Sequence, residues 1–258
     1  MRVQFKKLIK DVKIILGGNI MKIKNGNLEY IADANITELV PLDNSIYRNK
    51  VVLKLEKILK RGIDIIGSLF GILALIPLTI FVYIANLIAG DKGPVFYSQE
   101  RIGKNGKLFK MYKYRSMVVD ADERLEKYLE ENEEARKEYA EYKKLKYDPR
   151  ITKMGNFIRK TSIDEFPQFI NVLKGEMSLV GPRPYLPKEK EEMNGFYKFI
   201  TSCKPGITGL WQISGRSECT FNERLDLDMK YFNNHRLKSD LKILEETAKK
   251  IVKREGAI

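Results

Sequence analysis

The feature that most limits the fold of this sequence is an apolar run without charged residues, from Ile65 to Ala89. As a helix its 25 residues would be roughly 37 Å long, enough to cross the hydrocarbon core of a bilayer. Pro77 lies in the middle of the run and cannot donate a backbone hydrogen bond to the carbonyl of Leu73, so we predict that the helix breaks there. The sequence therefore predicts a membrane segment made of two helical halves.

Positively charged residues flank this run on both sides. They are Lys54, Lys57, Lys60 and Arg61 before it, and Lys92, Arg101, Lys104, Lys107 and Lys110 after it. Because such flanks favour the cytoplasm, we expect both ends of the run on the cytoplasmic face of the cytoplasmic membrane. This predicts a re-entrant helix-break-helix, and hence a monotopic protein, preceded by a basic amphipathic helix over 51–61. A straight transmembrane helix with a tolerated proline is the alternative.

Composition narrows the partners and the chemistry. The 258 residues include 47 Lys and Arg against 34 Asp and Glu, a net charge of +13, so an anionic partner is expected. Nucleic acid, membrane lipid and phosphorylated substrates all qualify. The single histidine, His235, excludes a multi-histidine metal site, and Cys203 and Cys219 have no metal-binding spacing.

A hairpin with basic residues after it is predicted beyond the apolar run. Strand-like composition at 94–97 and 108–112 surrounds the turn signal Asn105-Gly106. Lys113 and Arg115 follow the second strand and could meet a diphosphate, although such residues are more often solvated surface cations.

Two charged helical segments complete the pattern. The stretch 120–147 is expected to be helical, with Leu125, Tyr128 and Leu129 on one face and Glu133 paired with Lys137. The last helix is expected over 237–253, with Leu241, Leu244, Ala248 and Ile251 on its apolar face, which could lie on lipid or cover the sheet.

The chemistry is expected at Asp164 and Glu165. Helix capping is the simpler interpretation, with Ser162 and Glu165 as a capping box or Asp164 as the cap and Pro167 in the first turn. Either arrangement places both carboxylates at a helix N-terminus, where the helix dipole favours the ionised form. An ionised carboxylate is what a nucleophile or a magnesium ligand requires.

The surrounding motifs carry a family resemblance. Residues 161–168 read Thr-Ser-Ile-Asp-Glu-Phe-Pro-Gln, and residues 171–184 run from Asn-Val-Leu-Lys-Gly-Glu-Met-Ser to Gly-Pro-Arg-Pro. Both segments resemble the core of the bacterial sugar transferases called monotopic phosphoglycosyl transferases, and the resemblance extends from about Lys54 to about Val252.

The resemblance implies a covalent mechanism. The aspartate of the pair, here Asp164, attacks the sugar-bearing phosphate of a UDP-sugar, UMP leaves, and undecaprenyl phosphate takes the phosphosugar. We expect Asp164 to share Mg²⁺ with the diphosphate, and Glu165 either to orient the metal or to accept a proton. Arg183, held between two prolines, and Arg159 are the candidates for stabilising the transferring phosphate, with Lys113 and Arg115 on the diphosphate.

The charged segment 120–147 resembles the subgroup that transfers galactose 1-phosphate, with glucose next, at the start of exopolysaccharide, capsule or O-antigen assembly. The expected partners are a UDP-sugar, undecaprenyl phosphate and membrane lipid, with a second copy of the chain as a further candidate. Nucleic acid is not expected, because no recognised binding module is present.

We therefore predict an α+β fold organised as an N-terminal extension of unknown role (1–50), an amphipathic lead-in with a re-entrant membrane helix (51–92), and a cytosolic catalytic domain (93–258). The alternative function is a non-catalytic basic scaffold on anionic lipid. A scaffold would need neither the Asp164–Glu165 pair nor Arg183.

Overall fold

The computed structural model describes residues 13–16, 19–24, 27–33, 50–215 and 219–253. The chain forms two compact units, Met1–Tyr47 and Arg48–Ile258. In the first unit three strands pair antiparallel in chain order: β1 (Lys13–Leu16), β2 (Asn19–Lys24) and β3 (Asn27–Asp33).

The second unit is mostly helical with two small sheets, so the α+β expectation is confirmed. Its helices are α1 (Lys50–Ile88), α2 (Ala121–Glu131), α3 (Glu133–Tyr142), α4 (Lys153–Lys160), α5 (Gln168–Lys174), α6 (Tyr197–Ile200), α7 (Leu210–Ser214), α8 (Phe221–Asn234) and α9 (Leu237–Lys253). Its strands are β4 (Phe96–Ile102), β5 (Leu108–Tyr114), β6 (Ser178–Val180) and β7 (Gly206–Thr208). The β4–β5 pair is antiparallel and the β6–β7 pair is parallel.

The helix α1 corrects the prediction of a break at Pro77. It is one continuous helix of 39 residues with Pro77 inside it. The proline still removes one backbone hydrogen bond, but both halves of the helix pack on the same folded unit and are held in line by it. Gly71 lies against the ring of Phe169 before the proline, and Val82 packs with Tyr114 and Ile158 after it.

Polar contacts anchor the first half of α1. Lys60 donates to the Asp240 carboxylate over 2.6 Å, and Arg61 donates to the carbonyl oxygens of Val172 and Leu173, at the C-terminal end of α5. Asp64 is buried and accepts hydrogen bonds from β6, at 2.9 Å from both the hydroxyl of Ser178 and the backbone nitrogen of Leu179. These contacts cap α5 and fix α1 against β6.

The second half of α1 is anchored by Tyr114 at the end of β5. The Tyr114 hydroxyl oxygen lies 2.7 Å from the Thr79 hydroxyl oxygen and 3.3 Å from the carbonyl oxygen of Leu75. The opposite face of the helix remains apolar and exposed along its length; it includes Leu69, Phe70, Leu73, Ile76, Ile80, Tyr83, Ile84, Leu87 and Ile88. By length and composition, α1 is able to cross a membrane.

The predicted hairpin is confirmed. The strands extend beyond the predicted bounds and pair from Phe96↔Tyr114 to Ile102↔Leu108. Asn105 (φ 57°) and Gly106 (φ 79°) both adopt left-handed backbone conformations in the connection, which is why the Asn-Gly pair is favoured there.

The charged segment 120–147 is helical only as far as Tyr142, and its helical part is divided in two. The Asn132 side chain accepts a hydrogen bond from the backbone nitrogen of Ala135 and begins a second helix, α3. Leu125 is buried as expected, and Lys137 lies 2.8 Å from Glu133.

The helix α9 has the predicted bounds, and only part of its predicted apolar face is buried. Asp240, Ile243, Leu244 and Thr247 face the unit, whereas Leu241 and Ile251 are exposed. Hydrogen bonds set this rotation, because Asp240 is bound to Lys60 and Tyr231, and Thr247 to Thr208.

Candidate active site

An open cleft of about 880 Å³ contains the predicted acidic pair. Its walls come from the β4–β5 hairpin, the turn 162–165, the segment 183–189, and residues of α7 and α8. The helical insert 120–147 forms part of its rim. Asp164, Glu165, Lys113, Arg159, Arg183 and Arg115 all line this cleft, so the fold brings every predicted site residue to one place.

The acidic pair sits in a single 3-10 turn, Ile163–Glu165, ahead of α5. Neither predicted capping arrangement forms. Ser162 has a left-handed backbone (φ 57°) and its side chain makes no capping hydrogen bond, and the N-cap position of α5 is Pro167. With no capping task, the two carboxylates are directed into the cleft, where both lie near Lys113.

Lys113 holds the pair together. Its Nζ atom lies 3.0 Å from Glu165 Oε1 and 3.6 Å from Asp164 Oδ2. Asp164 is buried, with 9% of its side chain exposed, whereas the Glu165 side chain is 38% exposed. The two neighbouring carboxylates therefore differ in environment.

The pKa of Asp164 is raised, and this corrects the expectation that a helix dipole would favour its ionised form. Burial is the largest cause of the raised pKa; Lys113 and Arg159 lower it in part, and Glu165 adds to the rise. The free energy that a helix dipole contributes is only a fraction of the free energy needed to desolvate a carboxylate. Burial therefore decides the direction in which the pKa shifts.

Arg183 is held in a defined position beside the pair. Its backbone N–H donates to Asp228 Oδ2 over 3.0 Å, and its guanidinium donates to Glu189 Oε1 over 3.2 Å. The guanidinium also lies over the ring of Tyr185, 5.1 Å from the ring centre. Tyr185 in turn donates its hydroxyl to Asp228. Arg183 is therefore held by these hydrogen bonds and by the ring contact, in addition to the flanking prolines.

Asp228 is fully buried beneath this segment. Its Oδ2 accepts from Arg183 and, at 2.8 Å, from Tyr185, while its Oδ1 has no hydrogen-bond partner among the described residues. Burial, as the largest cause, raises the pKa of Asp228 to about 7. Asp228 was not predicted as a site residue, although a carboxylate on the apolar face formed by Leu225, Met229 and Phe232 is a signal in the sequence.

Arg159 and Arg115 take different positions. Arg159 lies close enough to lower the pKa of Asp164, as a phosphate-binding cation beside the nucleophile should. The Arg115 guanidinium donates instead to the carbonyl oxygens of Pro94 and Met117 and to the Asp91 carboxylate, which lies 2.7 Å away. Its hydrogen bonds tie the end of β5 to the segment before β4, and its role on the diphosphate stays a prediction.

Arg101 also lines the cleft and was counted in the sequence only as a flanking positive charge. It donates to the Pro184 carbonyl over 2.9 Å and to the Gln99 side chain. Burial and the nearby charge of Arg183 lower the pKa of Arg101 to about 10, while the carboxylates of Glu189 and Glu165 act in the opposite direction. Gln99 and Arg101 are two positions apart in β4 and therefore lie on the same face of the strand, and this pair of polar residues was the available sequence signal.

The carboxylates fit the coordination that Mg²⁺ takes with a diphosphate. Such a site uses one or two carboxylates together with phosphate oxygens and waters. Asp164 and Glu165 each direct one oxygen toward the same positive charge, the Lys113 ammonium. Within the described ranges there is no group of three or more His, Cys, Asp or Glu side chains that could hold a metal without such a ligand.

A cation-lined cleft with an acidic pair, beside an exposed apolar helix, is the arrangement expected of a membrane-associated enzyme for phosphorylated substrates. The chain belongs to the bacterial sugar transferase family, which matches residues 55–254. It is 43% identical over 210 residues to the undecaprenyl-phosphate galactose phosphotransferase of Salmonella typhimurium, covering 81% of this chain and 44% of that protein.

Other relatives differ in the fraction of their length that this chain covers and in the sugar given in their names. The galactosyl transferase CpsE of Streptococcus agalactiae is 41% identical over 98% of this chain and 56% of its own length. The UDP-glucose:undecaprenyl-phosphate glucose-1-phosphate transferase of Escherichia coli is 36% identical over 73% of this chain and 39% of its own length. The chain thus spans about half the length of these relatives, or less.

Proposed function

We propose that the protein transfers a hexose 1-phosphate from a UDP-sugar to undecaprenyl phosphate and so starts the assembly of a polysaccharide repeat unit. The observation that carries the proposal is the Asp164–Glu165 pair, with one carboxylate buried beside Lys113 and Arg159 in a cleft lined by Arg183. A non-catalytic lipid scaffold has no use for a desolvated carboxylate surrounded by cations.

The proposed reaction has two displacements at one phosphorus atom. In the first, an Asp164 carboxylate oxygen forms a bond to the sugar-bearing phosphorus, and the bond from that phosphorus to the bridging oxygen breaks, releasing UMP with the electron pair. In the second, a phosphate oxygen of the lipid forms a bond to the same phosphorus and the bond to Asp164 breaks, which restores the carboxylate. The product is a lipid diphosphate sugar.

The charged side chains have separate tasks in this scheme. Arg159 and Arg183 stabilise negative charge on the transferring phosphate, because positive groups fixed in advance need no reorganisation during the reaction. Lys113 favours the ionised form of Asp164. Glu165 is the more exposed of the pair and is the group available to the incoming lipid phosphate, either as a base or through a metal ion.

Asp164, with Glu165 beside it, would hold Mg²⁺ together with the diphosphate. When bound, the ion neutralises phosphate charge that would otherwise repel an approaching carboxylate. Asp228 and Glu189 are already engaged with the segment that carries Arg183 and are not needed as ligands.

The proposed membrane arrangement is supported by the contacts of α1. Both halves of the helix contact the unit that contains the cleft, through Lys60 and Arg61 at one end and Thr79 and Val82 at the other. This supports a monotopic arrangement in which the exposed apolar face of α1 enters one leaflet and both ends stay on the cytoplasmic side. A lipid phosphate could then reach Asp164 without leaving the interface.

Galactose is the sugar we propose, with glucose next. The support is the charged helical insert at the rim of the cleft and the names of the relatives described above. The test is release of UMP from a panel of UDP-sugars in the presence and absence of undecaprenyl phosphate. We expect lipid-dependent turnover that is fastest with UDP-galactose. Preference for an N-acetylated donor would contradict the choice of sugar, and no release from any donor would contradict the transfer itself.

A further inference from the structure

At one wall of the cleft, two consecutive residues each have a buried polar atom without a hydrogen-bond partner in the part of the chain that the structure describes. The atoms are Nε1 of Trp211 and Oε1 of Gln212, on α7, and both residues line the cleft. Gln212 is only 9% exposed. Buried polar groups in native proteins nearly always have a partner, so a donor and an acceptor left unpaired in a substrate cleft point to a ligand.

The orientation of both groups is determined by their neighbours. Nε2 of Gln212 donates to the Ile207 carbonyl oxygen over 3.3 Å, so its carbonyl oxygen is the atom left without a partner. The guanidinium carbon of Arg224 lies 5.6 Å from the centre of the Trp211 ring and covers a face of it. Arg224 contacts the face of the Trp211 ring, so the N–H group at the ring edge still lacks a partner among the described residues.

Three arginines, Arg101, Arg183 and Arg224, line the cleft together with this wall and the acidic pair. The Arg224 guanidinium lies over the Trp211 ring, and Arg101 donates to the carbonyl oxygen of Pro184, next to Arg183. The same cleft therefore has carboxylates, arginines, an N–H donor and an amide acceptor, which are the groups that a nucleoside diphosphate sugar would need.

We propose that Trp211 and Gln212 bind the hydrogen-bonding edge of the uracil base of the UDP-sugar. Uracil carries an N3–H donor between two carbonyl acceptors, so Gln212 Oε1 can accept from N3–H while Trp211 Nε1 donates to a neighbouring carbonyl oxygen. The inference rests on the proposed function for the identity of the base. It adds a specificity site on the wall of the cleft that α7 forms.

The first test is calorimetric binding of UMP to the full chain purified in detergent. Gln212→Leu and Trp211→Phe should each weaken UMP binding about tenfold, since each leaves one edge group of the base unpaired. The matched control is Ser214→Ala on the same helix, an exposed position outside the cleft, which should bind UMP like the wild type. Unchanged UMP affinity in both cleft variants would overturn the proposal.

The second test changes the ligand and does not depend on the folding of a variant. N3-methyl-UMP lacks the N3–H donor, so the wild type should bind it about tenfold more weakly than UMP. Gln212→Leu, which has already lost the acceptor, should bind the two ligands with similar affinity. Equal affinity of the wild type for both ligands would overturn the proposal.

Transfer assays separate this inference from the function on which it rests. In the UMP-release assay both variants should raise the KM for the UDP-sugar and leave kcat nearly unchanged, because contacts to the base are made equally by the bound substrate and the transition state. Normal transfer with an unchanged KM in both variants would contradict the base site and still support the transferase function. UMP binding with the expected properties, but no transfer by the wild type, would support the base site and contradict the transferase function.

Discussion

At the scale of single residues, opposing interactions set the ionisation of Asp164. Burial raises its pKa, and Lys113 and Arg159 act against that effect. A carboxylate must be ionised to attack phosphorus, so activity is lost as the pH falls through the raised pKa. The acidic limb of the activity profile should therefore lie above the pH expected for an ordinary aspartate.

The Lys113→Met variant should move this limb further. Removing the Lys113 charge leaves burial and Glu165 to act on Asp164 with only Arg159 opposing them, so the pKa rises again and the acidic limb of kcat/KM shifts to higher pH. The measurement is the pH dependence of UMP release. Lys110→Met, an exposed position on the same strand and outside the cleft, is the control and should keep the wild-type profile. An unshifted limb in Lys113→Met would contradict this account of Asp164.

Asp228 makes the stability of the fold depend on pH. Its folded pKa is about 7, against an ordinary value of 3.8, because burial disfavours the charge. Between these values the unfolded chain has released the proton and the folded chain still binds it. The stabilisation is therefore complete below pH 3.8, declines as the pH rises, and is lost once the pH exceeds about 7.

The Asp228→Asn variant should remove this dependence. Asparagine can still accept from Arg183 and Tyr185 but does not titrate. The wild type should lose stability relative to the variant between about pH 5 and about pH 7, by at most about 1.4 kcal/mol per pH unit, with no further change above that range. Thermal unfolding of both proteins in detergent across the range measures the difference. A constant difference at every pH would contradict the buried titration.

At the scale of elements, features set by neighbouring residues could be predicted from the sequence, whereas features set by long-range contacts could not. The hairpin and the bounds of α9 follow from turn chemistry and apolar periodicity, which are properties of neighbouring residues. The break at Pro77 was predicted wrongly, and which side of α9 is buried was not predicted. Both depend on partners far away in sequence: the unit on which α1 packs, and the Lys60–Asp240 pair that rotates α9.

The contact between α1 and α5 can be tested with two glycines of the same helix. A Cβ atom on Gly71 would collide with the Phe169 ring, whereas one on Gly62 would meet nothing within 4 Å. Gly71→Ala should therefore destabilise by about 1–3 kcal/mol through overpacking, and Gly62→Ala should stabilise by about 0.5–1 kcal/mol through helix propensity. Thermal unfolding in detergent compares them. Equal effects of the two substitutions would mean that α1 does not pack on α5.

At the scale of the whole molecule, the catalytic unit and the long helix form one body. The site residues predicted from motifs, Asp164, Glu165, Lys113, Arg159 and Arg183, line one cleft. Asp228 and Arg101 were not predicted as part of this site, because each has only a weak local signal and their contacts with the Arg183 segment join residues more than forty positions apart. Nor could the sequence predict that burial outweighs the helix dipole at Asp164.

The topology predicts equal protection of both ends of α1. Cysteines at positions 54 and 92, both exposed in the structure, should escape a membrane-impermeant thiol reagent in intact cells and react after lysis. Cys203 and Cys219 would first be replaced by serine, and that background without added cysteine is the control. Labelling of position 54 alone in intact cells would show that α1 spans the membrane.

The central claim is that Asp164 forms a covalent bond to the phosphosugar. Intact-protein mass spectrometry after incubation with UDP-galactose and without a lipid acceptor measures this directly. The wild type should gain the mass of one phosphohexose and lose it again when undecaprenyl phosphate is added, while Asp164→Asn, which has no nucleophilic carboxylate at this position, should gain nothing. No adduct on the wild type, or the same adduct on Asp164→Asn, would contradict the account.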